Sequence, residues 1–276
     1  MLAVIARARQ GTAANEVLGP IDTRAWSIVA QATAMVSQIV RRLSYGLQSV
    51  TAPFRVAAIR QRRALRVHLG CGDDKLAGFL NVDYRPTAAT DLVMDLNRPK
   101  FTHGSVALAF SNAFFEHLYR SSRLPHLCGI RDALERDGVC CYIGLPYFRN
   151  VARYYLERGP GTTGPLFDLN NVYGYTHGNP EQAPTWWIGQ LHKSLFDEEE
   201  LSGLLTESGF GSYVMFCYGY PGDVHEVPVT MGFYATRQRL SSDELRRMCA
   251  TFLEQFADTR IRLPTLEWLT APIERR

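Results

Sequence analysis

The stretch VHLGCGDDKLAGFLNVD, Val67 to Asp83, holds the residues whose types and spacing carry the clearest chemistry in this 276-residue chain. Gly70 and Gly72 stand where an apolar run gives way to a turn, the place where backbone approaches a ligand closely. A dinucleotide fingerprint would continue with a third glycine and a helix whose N-terminus carries the pyrophosphate. Its acidic residue would follow about 20 residues on. Here no glycine stands at the third place, position 75, which Asp73 and Asp74 directly precede, and Asp83 arrives only 11 positions after Gly72. The helix has almost no room, and two carboxylates in the turn beside the phosphate position would repel a pyrophosphate. What survives is the close backbone approach and an acid able to grip ribose hydroxyls. This pattern suits a nucleoside cofactor without phosphate, and Asp73 or Asp74 favours a cationic one. The competing reading makes Gly70 and Gly72 plain turn glycines and Asp83 a strand end.

Elements that position these residues follow from the hydrophobic pattern. RVHLG, LNVDYR, TDLVMDL and SVALAFSNAFFEHL read as four strands, the last running into a turn. RLPHLCGIRDALERDG reads as a helix closed by Gly138, and VCCYIGLP as a fifth strand stopped by Pro146. Near-continuous apolar strands with helical crossovers imply an α/β fold with a parallel sheet covered on both faces. SLFDEEELSGLLTESGF is a helix with Asp197 as cap, Glu200 closing a capping box, a Phe196–Leu201 staple and Gly209 as stop. YVMFCYGY and VPVTMGFYATR then predict an antiparallel hairpin at the sheet edge. The expected domains are a helical extension at 1–64, a core at 65–240 and a C-terminal helix at 241–276. Residues 147–190, rich in Gly, Pro, Tyr and Trp, form an insert too long for a plain connection.

Composition bounds the rest. The chain is 46% hydrophobic and 21% charged, with a formal net charge of +3, too mild for a nucleic-acid partner. Six cysteines lie mostly in apolar runs without metal-ligand spacing, as buried small hydrophobes of a reducing compartment. No signal peptide or membrane span is legible, so a cytoplasmic location is expected. In the extension, Ile28, Val29, Ala32, Met35, Val36, Ile39, Val40 and Leu43 make one apolar helix face. Arg55, Arg60, Arg62 and Arg63 follow it. Packing on the core is the plain reading; peripheral contact with an anionic membrane or a phosphorylated carrier, and a homodimer, are the alternatives.

Four ordered segments together resemble class I S-adenosylmethionine-dependent methyltransferases, in the subtype whose glycine motif runs LGCG…NVD. They are VHLGCGDDKLAGFLNVD, DLVMDL, SNAFFEHL and HKSLFDEEELSGLLTESGF, and the likeness spans residues 66 to about 237, roughly two thirds of the chain. It implies a Rossmann-like seven-stranded sheet, mostly parallel with an antiparallel edge hairpin, and S-adenosyl-L-methionine as cofactor. It places Leu69, Gly70 and Gly72 against the cofactor's amino-acid and ribose parts and Asp83 on the ribose hydroxyls. Asp95 and Leu96 would meet the adenine edge, and Asn112 the methionine part. Asp95 also reads as a simple turn residue. The sequence SNAFF stands where nucleic-acid amino-methylating relatives carry Asn/Asp-Pro-Pro-aromatic, which argues against that acceptor class.

A hydroxyl acceptor calls for a general base. His117 follows the fourth strand, at the end of the sheet where ligands bind, and either serves the reaction or ties down its turn. His192 is the second candidate and His177 the third, while His68, mid-strand, reads as a core histidine. Asp168, Asn170 and Asn171 offer a weak magnesium site without a second acid, so no metal is expected. The aromatic insert would form the acceptor pocket or its lid, for a small molecule or glycan. The rival to an O-methylating enzyme is a non-catalytic subunit of the same fold.

Overall fold

The computed structural model describes residues 63–158, 189–221 and 227–269. The helical extension up to residue 62 and residues 159–188 of the aromatic insert, with His177, Asp168, Asn170 and Asn171, lie outside them. Four parallel strands open the sheet: β1 (Leu65–Leu69), β2 (Leu80–Asp83), β3 (Leu92–Val93) and β4 (Val106–Asn112). A single 3-10 turn (Phe115–His117) and helix α1 (Arg120–Ala133) lead into β5 (Leu134–Pro146) and α2 (Phe148–Arg158). Helix α3 (Glu198–Glu207), β6 (Ser212–Gly219), β7 (Thr230–Thr236), α4 (Ser242–Glu254) and β8 (Arg262–Leu269) complete the order. The strands form one mixed sheet, β3-β2-β1-β4-β5-β7-β6-β8.

This is the expected Rossmann-like sheet with an eighth strand. β1 to β5 pair in parallel, while β7 runs antiparallel to both β5 and β6. The β6–β7 hairpin is therefore not at the edge: β7 is inserted against β5, and β8 covers β6. The C-terminal helix expected over 241–276 ends at Glu254. Arg262, Pro264 and Glu267 disguise β8 in the sequence, but an edge strand tolerates proline and charge because one side has no ladder to complete. Gly138 does not close α1 either. The helix ends at Ala133, and residues 135–138 bulge out of β5 between the pairs Leu134–Val106 and Val139–Leu108.

Alternation along the central strands feeds two cores, one on each sheet face. Ala109, Cys140 and Tyr142 face α1 and α3, with Phe115 and Phe196 stacked at 5.4 Å. Phe110, Cys141 and Ile143 face the other layer, where α4 adds Leu245, Cys249 and Leu253 and Phe110 stacks on Phe256 at 4.4 Å. Asp197 caps α3 as expected, accepting from the Glu200 amide at 2.9 Å. The Glu200 carboxylate instead takes Arg123 at 2.7 Å, joining α3 to α1. Among the described residues no helix is long and apolar enough to cross a membrane.

His126 of α1 is fully buried, with Nδ1 donating to the Leu96 carbonyl at 2.5 Å and Nε2 at 2.7 Å from the Tyr142 hydroxyl. Burial pushes it from its ordinary 6.5 down to about 4. The unfolded chain therefore binds a proton that the native state refuses. Stability is full above pH 6.5 and falls as pH drops toward 4, by about 3 kcal/mol from this group. Urea midpoints measured across that window should fall steeply, and less steeply in His126→Gln. An equal slope in the two proteins would exclude His126 as the source.

Candidate functional site

Only residues 70–79 connect β1 to β2, and they form no helix. A parallel pair normally needs a longer crossover, so something else must hold this one. Asn81 does: its Oδ1 accepts from the Leu76 amide at 2.9 Å, and its Nδ2 donates to the Leu76 and Phe79 carbonyls and to Asp91. Buried His68 stands at 3.1 Å from the same Oδ1, between Phe79 and Phe110, the core histidine expected. Its pKa is lowered by burial.

The turn opens a cleft of about 1260 Å³ at the carboxyl ends of β1, β2 and β4, where ligands bind in such sheets. Gly70 is left-handed (φ +68°) and lies under the Phe114 ring; a Cβ there would come within 2.3 Å of it. Gly72, also left-handed (φ +53°), has open space where its Cβ would be. Asp83 is buried at the end of β2 and borders the cleft. Its two oxygens accept from the Gly72 and Arg85 amides at 2.9 and 2.8 Å, which fixes the carboxylate against the glycine turn.

The cleft gathers most of the cofactor candidates: Gly70, Gly72, Asp83, Asp95, Leu96 and Asn112 all border it. Asp95 is exposed and caps its own turn through Asn97 at 2.9 and 2.8 Å. Asn112 is bonded to the Tyr220 hydroxyl at 3.2 Å. Leu69 is not among the lining residues: its side chain is fully buried in the core, and its carbonyl accepts from Ser111. Asp73 and Asp74 add acid at the glycine end, where Arg260 pairs with Asp74. Cys71 also borders the cleft, but burial pushes its thiol up to about 12, which makes it a wall atom rather than a nucleophile.

The opposite wall is built by two chain segments zipped together. Lys193 N donates to the Glu116 carbonyl at 2.8 Å, Lys193 Nζ to that of His117 at 2.8 Å, and Ser194 Oγ to that of Leu118 at 3.3 Å. The ladder sets His192 beside His117, with ring centroids 5.1 Å apart. His117 reaches the cleft; His192 sits behind it, buried. His117 Nδ1 lies 3.1 Å from the Leu191 carbonyl, which can only accept, so that nitrogen bears the proton and Nε2 the lone pair. Burial pushes His117 down to about 4 and the neighbouring Glu116 carboxyl up to about 8. Lys193, lying over the Tyr119 ring at 4.9 Å, is a cleft cation that sequence reasoning missed. No motif marks it.

No protein-family model matches the chain, and no curated protein sequence matches it. Solved structures do resemble it. A SAM-dependent methyltransferase from Thermotoga maritima is 12% identical over 70% of this chain and 95% of its own, with a TM-score of 0.42. A protein from Rhodobacter sphaeroides assigned to the Zn-dependent alcohol dehydrogenases is 11% identical over 66% and 88%, at 0.40. The 1,6-didemethyltoxoflavin-N1-methyltransferase of Burkholderia thailandensis, with S-adenosylhomocysteine bound, is 14% identical over 79% and 92%, at 0.40. Such identities and TM-scores are too low to transfer an activity or a substrate.

Proposed function

We propose that this chain is an S-adenosylmethionine-dependent methyltransferase acting on a small-molecule or glycan hydroxyl. The observation that carries the reading is the glycine end of the cleft. Asp83 is held rigidly beside Gly72, with Asp73 and Asp74 next to it and no helix N-terminus to receive a phosphate. This donor set suits a cationic nucleoside and disfavours a pyrophosphate. Gly70 and Gly72 would pass close to the amino-acid part, Asp83 would accept from the ribose hydroxyls, and Asp95 with Leu96 would border the adenine.

Bound there, S-adenosylmethionine supplies a methyl group on a positively charged sulfur. The chain's share is mainly to orient that carbon and the acceptor, an effect that contributes about 7–11 kcal/mol in well-aligned reactions. The acceptor would enter from the wall that carries His117, Lys193 and Tyr119, with the aromatic insert as pocket or lid. His117, which borders the cleft on that wall, would meet an acceptor hydroxyl, with His192 buried behind it.

Calorimetry with S-adenosylmethionine, S-adenosylhomocysteine and NADH separates this reading from a nicotinamide enzyme. The two sulfur compounds are expected to bind and NADH to leave no heat; NADH binding alone would overturn the proposal. Binding of S-adenosylmethionine without turnover on a panel of sugars and phenols would instead favour a non-catalytic subunit.

A further inference from the structure

We infer that Glu116, His117 and His192 form a binding site for one divalent cation, with zinc best suited to the donor set. They offer a carboxylate oxygen and two imidazole nitrogens, all within 4.8 Å of one another. Glu116 Oε1 stands 3.7 Å from His117 Nε2 and 3.9 Å from His192 Nε2. Both separations are too long for hydrogen bonds. Two ligands on one tetrahedral zinc, each about 2.0–2.2 Å from the metal, stand about 3.4 Å apart, so a small inward shift would close the site.

A second, independent observation points into the same space. Glu116 is 1% exposed, and its Oε2 is buried without a hydrogen-bond partner. A polar oxygen buried without a partner is costly, and a bound cation would satisfy it. The Leu191 carbonyl fixes the His117 proton on Nδ1 and leaves Nε2 as the ligand atom, the outer-shell arrangement that orients a metal-bound imidazole. The ladder from residues 191–194 to 116–118 holds the second histidine in place before any ion arrives. An all-N/O set of two imidazoles and one carboxylate favours zinc and similar ions over softer metals. Because His117 borders the cleft, the ion would keep an open position on that side.

The inference stands apart from the cofactor reading and is tested without turnover; with the ion bound, its open position rather than the His117 ring would meet an acceptor. Chelator-stripped full-length protein is titrated with Co²⁺, read by its visible d–d bands, and then with Zn²⁺ as competitor. One equivalent of Co²⁺ is expected, displaced by one of Zn²⁺, without the strong near-ultraviolet band of thiolate ligation. Glu116→Gln and His192→Gln should each weaken binding at least about tenfold, with circular dichroism showing that both remain folded. Absence of Co²⁺ binding by folded wild-type protein at about 1 mM would overturn the site. So would unchanged affinity in both folded variants, or a thiolate band showing cysteine ligation. If either variant fails to fold, His192→Ala replaces it under the same criterion.

Discussion

Replacing Asp83 with asparagine is expected to weaken S-adenosylmethionine binding by roughly 30- to 150-fold, the loss of about 2–3 kcal/mol for charge-assisted bonds to two hydroxyls. Asparagine keeps the shape and one accepting oxygen. It loses the charge and one of the two amides, Gly72 or Arg85, that the carboxylate now receives. The fold should survive, because the residue lies at the end of β2 and is not part of the apolar core. The thermal midpoint is therefore expected to move by only a few degrees, for about 1 kcal/mol. Calorimetry on the folded variant decides: affinity within about threefold of wild type would mean that Asp83 merely pins the turn and that the ligand is held elsewhere.

Legibility in the sequence followed the distance over which the chemistry is set. Gly70, Gly72 and Asp83 were readable because their relation is local: a strand end, a turn and the next strand end lie within one short stretch. The strands of the sheet were readable because residues such as Phe110 and Ala109 bury opposite faces and leave a continuous apolar run. Leu69 was misplaced relative to the cleft for the same reason: in a strand whose two faces are both covered, proximity to a glycine turn does not decide which residue meets the ligand. The joint cluster of Glu116, His117 and His192 was not readable. His117 and His192 each drew notice, but what joins them is a ladder of bonds to backbone carbonyls from residues 74 to 77 positions away in sequence, which no spacing rule encodes. β8 was hidden because an edge strand needs only half of the usual apolar pattern. The closure of α1 is misplaced at Gly138 because glycine there answers a close approach, the Val106 carbonyl lying 2.7 Å from where a Cβ would stand, and not a helix stop.

Asn81 has the largest structural leverage in this site. Asn81→Ala removes the carboxamide that ties residues 76 and 79 to β2 and leaves His68 and Asp91 each short of a partner. A loss of about 3 kcal/mol is expected, several net hydrogen bonds plus the cost of stranding buried groups. In a domain of this size that lowers the melting temperature by roughly 6–12 °C. Asn81→Asp should be worse at neutral pH. It keeps the acceptor for the Leu76 amide but sets a second carboxylate against Asp91, whose pKa is already lowered by the bonds it receives from Lys75 and Asn81. Acid should therefore narrow the gap between the aspartate and alanine variants, because protonating the new carboxyl removes the repulsion and restores a donor. Melting curves of the three proteins at neutral and mildly acidic pH test both parts. A shift below about 2 °C in Asn81→Ala would show that the connection between β1 and β2 is held by its backbone alone. If the clasp is what substitutes for the missing helix, the Gly72 amide should also exchange with solvent faster in that variant, and cofactor affinity should fall with it.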